Sequence, residues 1–198
     1  MYGVRWPLVE NQIRRGLRNH TYGAVRMKKL DDGTLVPRAH QGWDFYAPVG
    51  TVCFAIADGK VASVKYGGDY GTQIVIELDS IKCLGHKIYV MYAHLNSIRD
   101  RFKKVGAAVR RGEIIGETGK TGNARNLPNP ADCHLHFELR TMVDAPQGDG
   151  KNLSTSFIGR ISPGFLYTEP PLTSKVFDFC APIGPLSPTR KNVTNGDN

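Results

Sequence analysis

Two of the six histidines in this 198-residue chain carry the most specific chemical signal. His134 and His136 occupy alternate positions of Cys133–Met142, a run that also holds Leu135, Phe137 and Leu139. Successive side chains of a strand point to opposite faces, so both imidazoles project to one side, about 6.6 Å apart along the backbone, and the apolar row faces a core. Adjacent imidazoles on one face suit metal ligation or proton transfer, because a buried structural pair would need a hydrogen-bond partner for each ring. A second cluster is His40-Gln41-Gly42-Trp43-Asp44. On a flat strand His40 and Asp44 would stand roughly 13 Å apart, too far to share an ion; Gly42 between them permits a bend that turns both inward. His94 closes the run Tyr92-Ala93-His94 at a turn. Imidazole and carboxylate are good zinc ligands, and a hydrolytic site takes three of them and keeps one position open for water. No HExxH sequence is present, so a glutamate base on a helix is excluded. His20 and His86 adjoin turn residues and are expected in solvent. Glu138 lies on the face of His134 and His136, where it either orients a ligand or is a surface carboxylate.

The elements that must hold these residues read as β. Gly 22 and Pro 12 imply many turns and short strands. Val9, Ile13 and Leu17 are spaced for one helical face, although Pro7 and Gly16 oppose a helix. Asp31-Asp32-Gly33-Thr34 predicts a turn between two extended pieces. Thr51–Ala57 and Lys60–Tyr66 are expected strands flanking Asp58-Gly59, a strong hairpin signal. Thr72–Asp79, with Ile74, Ile76 and Leu78 on one face, pairs with Lys87–His94. Asn96–Lys104 predicts a short helix or helical turn, and Ala108–Gly116 a strand broken by a turn at Arg111-Gly112. Residues 117–132 form a long irregular loop. Pro163–Pro188 is expected to be extended and non-helical, and Asn192–Asn198 disordered. The sum is an all-β fold of one domain, a mainly antiparallel sandwich or barrel-like core with short helical segments and long loops.

Composition narrows the class. Hydrophobic residues at 40% and charged residues at 22% describe a globular chain. No run approaches the roughly 18 apolar residues of a membrane helix. A net charge of +8 favours an anionic polymer as partner. The cations are dispersed in small groups such as Arg14-Arg15, Lys28-Lys29, Lys103-Lys104 and Arg110-Arg111, and no zinc-finger or RNA-recognition signature is present, so nucleic acid is not expected. Cys53, Cys83, Cys133 and Cys180 form no CxxC pair, which argues against a thiolate zinc site. They admit two disulfides in any of three pairings, or buried thiols in a reducing compartment, and the reading leans to at least one disulfide.

Several segments resemble, in order, the lysostaphin-like (LytM-type, M23) zinc metallopeptidases that cut peptidoglycan cross-links. His40-Gln41-Gly42-Trp43-Asp44 is similar to the family's HxGxD motif. Ala47-Pro48-Val49-Gly50-Thr51-Val52 followed by Ala57-Asp58-Gly59-Lys60-Val61, Tyr92-Ala93-His94-Leu95 and Val109–Gly116 resemble three further motifs. Gly116–Gly122 with His134-Leu135-His136-Phe137-Glu138-Leu139-Arg140 resembles the closing HLHFE segment, and Thr21–Arg26 a segment upstream of the first histidine. The resemblance covers roughly residues 20–170. It implies that His40, Asp44 and His136 bind Zn²⁺ and that His134 and His94 flank the open position as base or transition-state stabiliser; spacing alone leaves open which of His134 and His136 is the ligand. It divides the chain into an N-terminal extension over 1–39 that packs on the core, a catalytic domain over 40–170 and a Pro-rich tail over 171–198. Asn123–Cys133, with Pro128 and Pro130, is longer than the family's connection, and Cys133 stands where the family often has Pro. The implied function is a zinc endopeptidase of peptidoglycan peptide cross-links. Met1–Pro7 lacks the apolar stretch of a signal peptide, which predicts a phage-encoded enzyme or an antibacterial effector exported by a dedicated system, the latter with an immunity protein as partner. A non-catalytic wall-binding or regulatory module would usually have lost metal ligands, and all are present here. A biotinyl-type carrier would need a lysine in a Met-Lys-like hairpin turn, and Met27-Lys28 is not so placed.

Overall fold

Alternation of apolar residues builds the central sheet and separates its two faces. The computed structural model describes residues 3–83, 85–146 and 152–167. In chain order the strands are β1 (Gly23–Lys29), β2 (Leu35–His40), β3 (Trp43–Tyr46), β4 (Val52–Phe54), β5 (Gly59–Lys65), β6 (Thr72–Cys83), β7 (His86–Ile98), β8 (Ala108–Val109), β9 (Ile114–Thr118), β10 (His134–Arg140) and β11 (Arg160–Ile161). β1 and β2 form a two-stranded sheet; the others form a nine-stranded sheet ordered β11-β10-β7-β6-β5-β8, with β3 on β10 and β4 and β9 branching from β7. All pairings are antiparallel, and the sheet does not close into a barrel.

On one face Ile74, Ile76 and Leu78 of β6, Val90 and Tyr92 of β7, and Leu135, Phe137 and Leu139 of β10 pack with Trp43 and Phe45 of β3 into the main core. On the other face Val75, Tyr89, Met91 and Ala93 form a smaller cluster with Tyr70. The register sets His136 opposite both Asp44 of β3 and Ala93 of β7, so the histidine face of β10 belongs to this second side. The small side chain of Ala93 leaves room there for polar groups.

Three expectations about local structure are corrected. Val9, Ile13 and Leu17 do not share a helix: Ile13 is fully buried and bridges Phe45, Val9 is 74% exposed, and the chain makes two 3-10 turns, Arg14–Gly16 and Arg18–His20. Packing of Ile13 on β3 wins over a weak helical pattern interrupted by Gly16. Asp58-Gly59 is not a hairpin turn, because β4 pairs with β9 whereas β5 pairs with β6 and β8. Gly59 is required by close approach, since a Cβ there would lie 2.0 Å from the Glu77 carbonyl oxygen. The start of the proline-rich segment is not extended: Pro163–Phe165 is a 3-10 turn capped by the Ser162 side chain. The remainder of Pro163–Pro188 beyond residue 167, and Asn192–Asn198, lie outside the described residues. Within 96–104 a 3-10 turn forms at Asp100–Lys103, and two more, Gly122–Asn126 and Pro130–Asp132, punctuate the 117–132 loop. Cys53, Cys83 and Cys133 are free thiols, so the expected disulfide does not form among the described cysteines; Cys180 lies outside them.

Candidate metal centre

Four elements converge on one point. β2 ends at His40, the chain crosses Gln41-Gly42, and β3 delivers Asp44, which is paired in register with His136 of β10. Gly42 serves close approach, because a Cβ would come within 2.4 Å of the Phe137 carbonyl oxygen. The break at Gln41-Gly42 replaces the roughly 13 Å of a flat strand with a 3.0 Å separation between His40 Nε2 and Asp44 Oδ1. His136 Nδ1 lies 2.8 Å from the same oxygen and 3.3 Å from His40 Nε2. Single donor atoms of His40, Asp44 and His136, all buried, thus lie within 4.8 Å of one another.

The outer hydrogen bonds set the tautomers. His40 Nδ1 is 2.8 Å from the Thr21 carbonyl oxygen, which only accepts, so Nδ1 carries the proton and Nε2 turns its lone pair inward. His136 Nε2 is 3.0 Å from Glu138 Oε1, so Nε2–H donates to the carboxylate and Nδ1 turns its lone pair inward. Two imidazole lone pairs and a carboxylate oxygen therefore face one another, an arrangement that a shared cation reconciles. Two nitrogens and one oxygen fit zinc.

Electrostatics agree with this. Burial lowers the His40 pKa to about 4 against the pull of Asp44, which keeps the ring neutral and able to ligate at neutral pH. Burial alone would raise the Asp44 pKa; the charges of His40 and His134 and hydrogen bonds from His136 and His20 hold it well below the usual carboxylate range. At His136 the balance runs the other way: burial would lower its pKa, but in the metal-free protein the two carboxylates Asp44 and Glu138 raise it, favouring a proton at the position that a shared cation would take.

The other two predicted histidines border the same cleft, a space of about 280 Å³. His134 Nδ1 donates to the Asp132 carbonyl at 2.8 Å, and its Nε2 lies 3.8 Å from Asp44 Oδ1. His94 Nδ1 donates to the Thr121 carbonyl at 3.0 Å. The two rings meet edge to face with centroids 4.9 Å apart. Both are held neutral, chiefly by burial, His94 with its pKa lowered to about 3. His94 has φ +60°, a strained conformation for a non-glycine residue, at the point where β7 changes partner from β10 at Ala93 to β9 at Leu95.

His20 was expected in solvent and is not there. It is 7% exposed, with Nδ1 3.1 Å from Asp44 Oδ2, and Arg26 Nη2 lies 2.9 Å from the same oxygen. Thus Oδ2 is held from outside while Oδ1 faces the cluster. Nothing in the local sequence reveals the His20 contact, which depends on how the 3-10 turn packs on β3; the Thr21–Arg26 motif was the available signal for Arg26. His86 is exposed, as expected. Glu138 is fully buried, which removes its reading as a surface carboxylate. Its Oε2 accepts from Arg140 Nε at 2.7 Å and Arg160 Nε at 2.8 Å, and Tyr70 contacts Oε1. Burial would raise the Glu138 pKa, but Arg140, His136 and Arg160 hold it low, so it remains an anion. Tyr70 and Arg160 lie far from His136 in sequence and were not legible there.

Known proteins are similar to this chain over much of its length. The chain is 35% identical over 140 residues to the peptidoglycan DD-endopeptidase ShyB of Vibrio cholerae, a match covering 66% of this chain and 29% of that protein. It is 38% identical over 106 residues to the glycyl-glycine endopeptidase ALE-1 of Staphylococcus capitis, covering 52% of this chain and 25% of that one. The matches therefore span less than a third of these relatives' own length. Among solved structures, the catalytic domain of the antimicrobial peptidase lysostaphin from Staphylococcus simulans aligns with a TM-score of 0.50 at 27% identity, over 74% of this chain and 88% of that one. The pattern described as peptidase family M23 matches residues 38–152, a stretch that includes His40, Asp44, His94, His134 and His136. With more than half of its length matched, the chain belongs to peptidase family M23.

Proposed function

We propose that the chain is a zinc-dependent endopeptidase that hydrolyses peptide cross-links of bacterial peptidoglycan. In this reading His40, Asp44 and His136 are the metal ligands, and His134 and His94 the catalytic histidines. The observation that carries it is the inward-facing lone-pair set of His40 Nε2, Asp44 Oδ1 and His136 Nδ1, with two neutral histidines on the same cleft. The names of the relatives supply the substrate: one is a peptidoglycan DD-endopeptidase, another a glycyl-glycine endopeptidase. Retention of the complete donor set speaks against a non-catalytic wall-binding module.

Zinc at this site supplies Lewis acidity, polarising the scissile carbonyl and shifting the pKa of water from about 15.7 toward about 7. His134 is oriented by the Asp132 carbonyl so that Nε2 is its free, basic nitrogen. It accepts a proton as water adds to the carbonyl carbon, then donates it to the departing amine nitrogen when the C–N bond breaks. His94, fixed by Thr121 and held neutral by burial, turns its unprotonated Nε2 to the cleft, where it accepts a hydrogen bond and orients the attacking water.

The site of action in this proposal is the bacterial cell wall. No helix among the described residues is long and apolar enough to cross a membrane. An immunity protein, expected for an exported effector, is not carried into the proposal. The test is digestion of purified peptidoglycans of several chemotypes by the zinc-loaded chain, with mass spectrometry of the products and a chelator control. New amine and carboxylate ends at one cross-link, abolished by chelation, are expected; full cleavage by the metal-stripped protein would falsify the reading.

A further inference from the structure

One wall of the metal cleft carries more cationic charge than the protein itself neutralises. Arg14, Arg26 and Arg38 all line the cleft that holds His40, His134 and His136. Arg26 of β1 and Arg38 of β2 are directly opposed in the hairpin register, and like charges so placed destabilise a strand pair. Two of the three have internal partners. Arg14 Nη2 lies 2.9 Å from Asp132, and Arg26 holds Asp44 through Nη2 at 2.9 Å and the Asn19 carbonyl through Nε at 2.8 Å. Arg38 is exposed and has no acceptor among the described residues. The acidic side chains of the lining are Asp44, already held by Arg26, and Asp69 on the turn before β6.

Arg38 precedes His40 by two residues within β2, so both side chains leave one face of the strand about 6.6 Å apart along the backbone. Both side chains line the same cleft, so the guanidinium of Arg38 borders the space in which a peptide bound at the proposed metal ligands would lie. A guanidinium presents a planar fork that matches a carboxylate with two parallel hydrogen bonds.

We infer that Arg38, beside the partly engaged guanidinium of Arg26, forms a carboxylate subsite, which makes the preferred substrate an anionic cross-linked peptide and not an uncharged oligoglycine bridge. The inference rests on the endopeptidase reading and specifies the substrate class for that same cleft. It also accounts for the opposed arginines: an anion between them removes a repulsion that the hairpin otherwise retains.

The test uses the full zinc-loaded chain and two probes. One is a synthetic cross-linked peptide dimer containing a D-alanyl–meso-diaminopimelyl bond; the other is the same dimer with its free diaminopimelyl carboxylate converted to carboxamide. The wild-type chain is expected to prefer the acid by about tenfold in kcat/KM, mainly through KM, as one charge-assisted hydrogen-bonded pair allows. Arg38→Gln is expected to bring the acid-to-amide ratio near unity and Arg38→Lys to keep part of it; Arg38→Gln, which removes the repulsion from Arg26, is expected to unfold at no lower temperature than the wild type. Equal kcat/KM for the two dimers in the wild-type chain overturns the inference, as does a ratio unchanged in Arg38→Gln. If zinc-loaded protein cleaves neither dimer but cleaves an uncharged oligoglycine bridge, the inference is overturned and the endopeptidase reading stands; if it cleaves no peptidoglycan chemotype, the endopeptidase reading fails, and fluorescence anisotropy with labelled dimers decides the subsite separately. Tighter binding of the acid that is lost in Arg38→Gln supports it; equal binding of acid and amide overturns it.

Discussion

Asp44 divides its work between two oxygens, and the roles of the surrounding residues follow from which oxygen each one meets. Oδ1 faces His40 and His136; Oδ2 is gripped by His20 and Arg26. In the proposed metal site, a carboxylate held at one end would offer only its other oxygen to a cation. His40→Ala and His136→Ala each remove an inward lone pair and are expected to abolish stoichiometric zinc, read by elemental mass spectrometry of the dialysed protein. His134 donates outward to Asp132, and its Nε2 is the more distant from Asp44 Oδ1, at 3.8 Å. His134→Ala is therefore expected to keep its zinc and lose about 10²–10⁴-fold in turnover, the usual scale of one acid–base group. An empty site in His134→Ala would reverse the assignment of ligand and base.

At the scale of elements, β10 is the strand on which both faces of the fold depend. One face carries Leu135, Phe137 and Leu139 into the core, and the other carries His134, His136, Glu138 and Arg140. Glu138 ties that polar row to β11 through Arg160, so a single carboxylate holds two buried guanidinia and the Nε2–H of His136. Glu138→Gln keeps the shape and removes the charge, leaving Arg140 and Arg160 without their counter-ion. Losing one partner of such a buried group destabilises by about 3–5 kcal/mol, to be read as a lower midpoint in urea unfolding of the metal-free protein. β7 contributes differently, through the φ of +60° at His94. An L-residue there is strained by about 1–2 kcal/mol and glycine is not. Among variants lacking the imidazole, His94→Gly is accordingly expected to be more stable than His94→Ala by about 1 kcal/mol, measured by calorimetry; the reverse order would remove strain from the description of this turn.

Across the whole molecule, the buried histidines make the metal-free fold sensitive to acid. The His40 pKa falls from 6.5 to about 4 and that of His94 from 6.5 to about 3, both chiefly through burial, and His134 is also lowered. Below about pH 6.5 the unfolded chain takes up protons that the folded chain refuses, so stability is fully present above that point and lost as pH falls toward 4 and 3. Glu138, held below 4.5, extends the loss further into acid, whereas His136, raised above 6.5, opposes it. With three lowered histidines against one raised, urea midpoints of the zinc-free protein are expected to fall steadily from about pH 7.5 to about pH 4.5. A flat or rising profile would contradict the burial of these rings. The net charge of +8 acts at longer range and would favour an anionic polymer as partner in a salt-dependent way.

Period-two alternation determined much on its own. The placement of His134 and His136 together, the apolar row behind them and the pairing of β6 with β7 follow from side-chain direction in a strand, a property local enough to be written in a few residues. The order of the motifs likewise indicated which residues would meet. Long-range packing decided the rest. That His20 is buried against Asp44, that Glu138 faces inward onto two arginines, that Gly59 serves backbone contact and not a hairpin turn, and that Gly42 adds a close backbone approach to its bend all depend on segments brought together across the fold. Hydrogen-bond direction at His40 was settled by the Thr21 carbonyl on a distant segment, which no spacing rule along the chain encodes, whereas the acceptor for His136 is Glu138, two positions on along the same strand face.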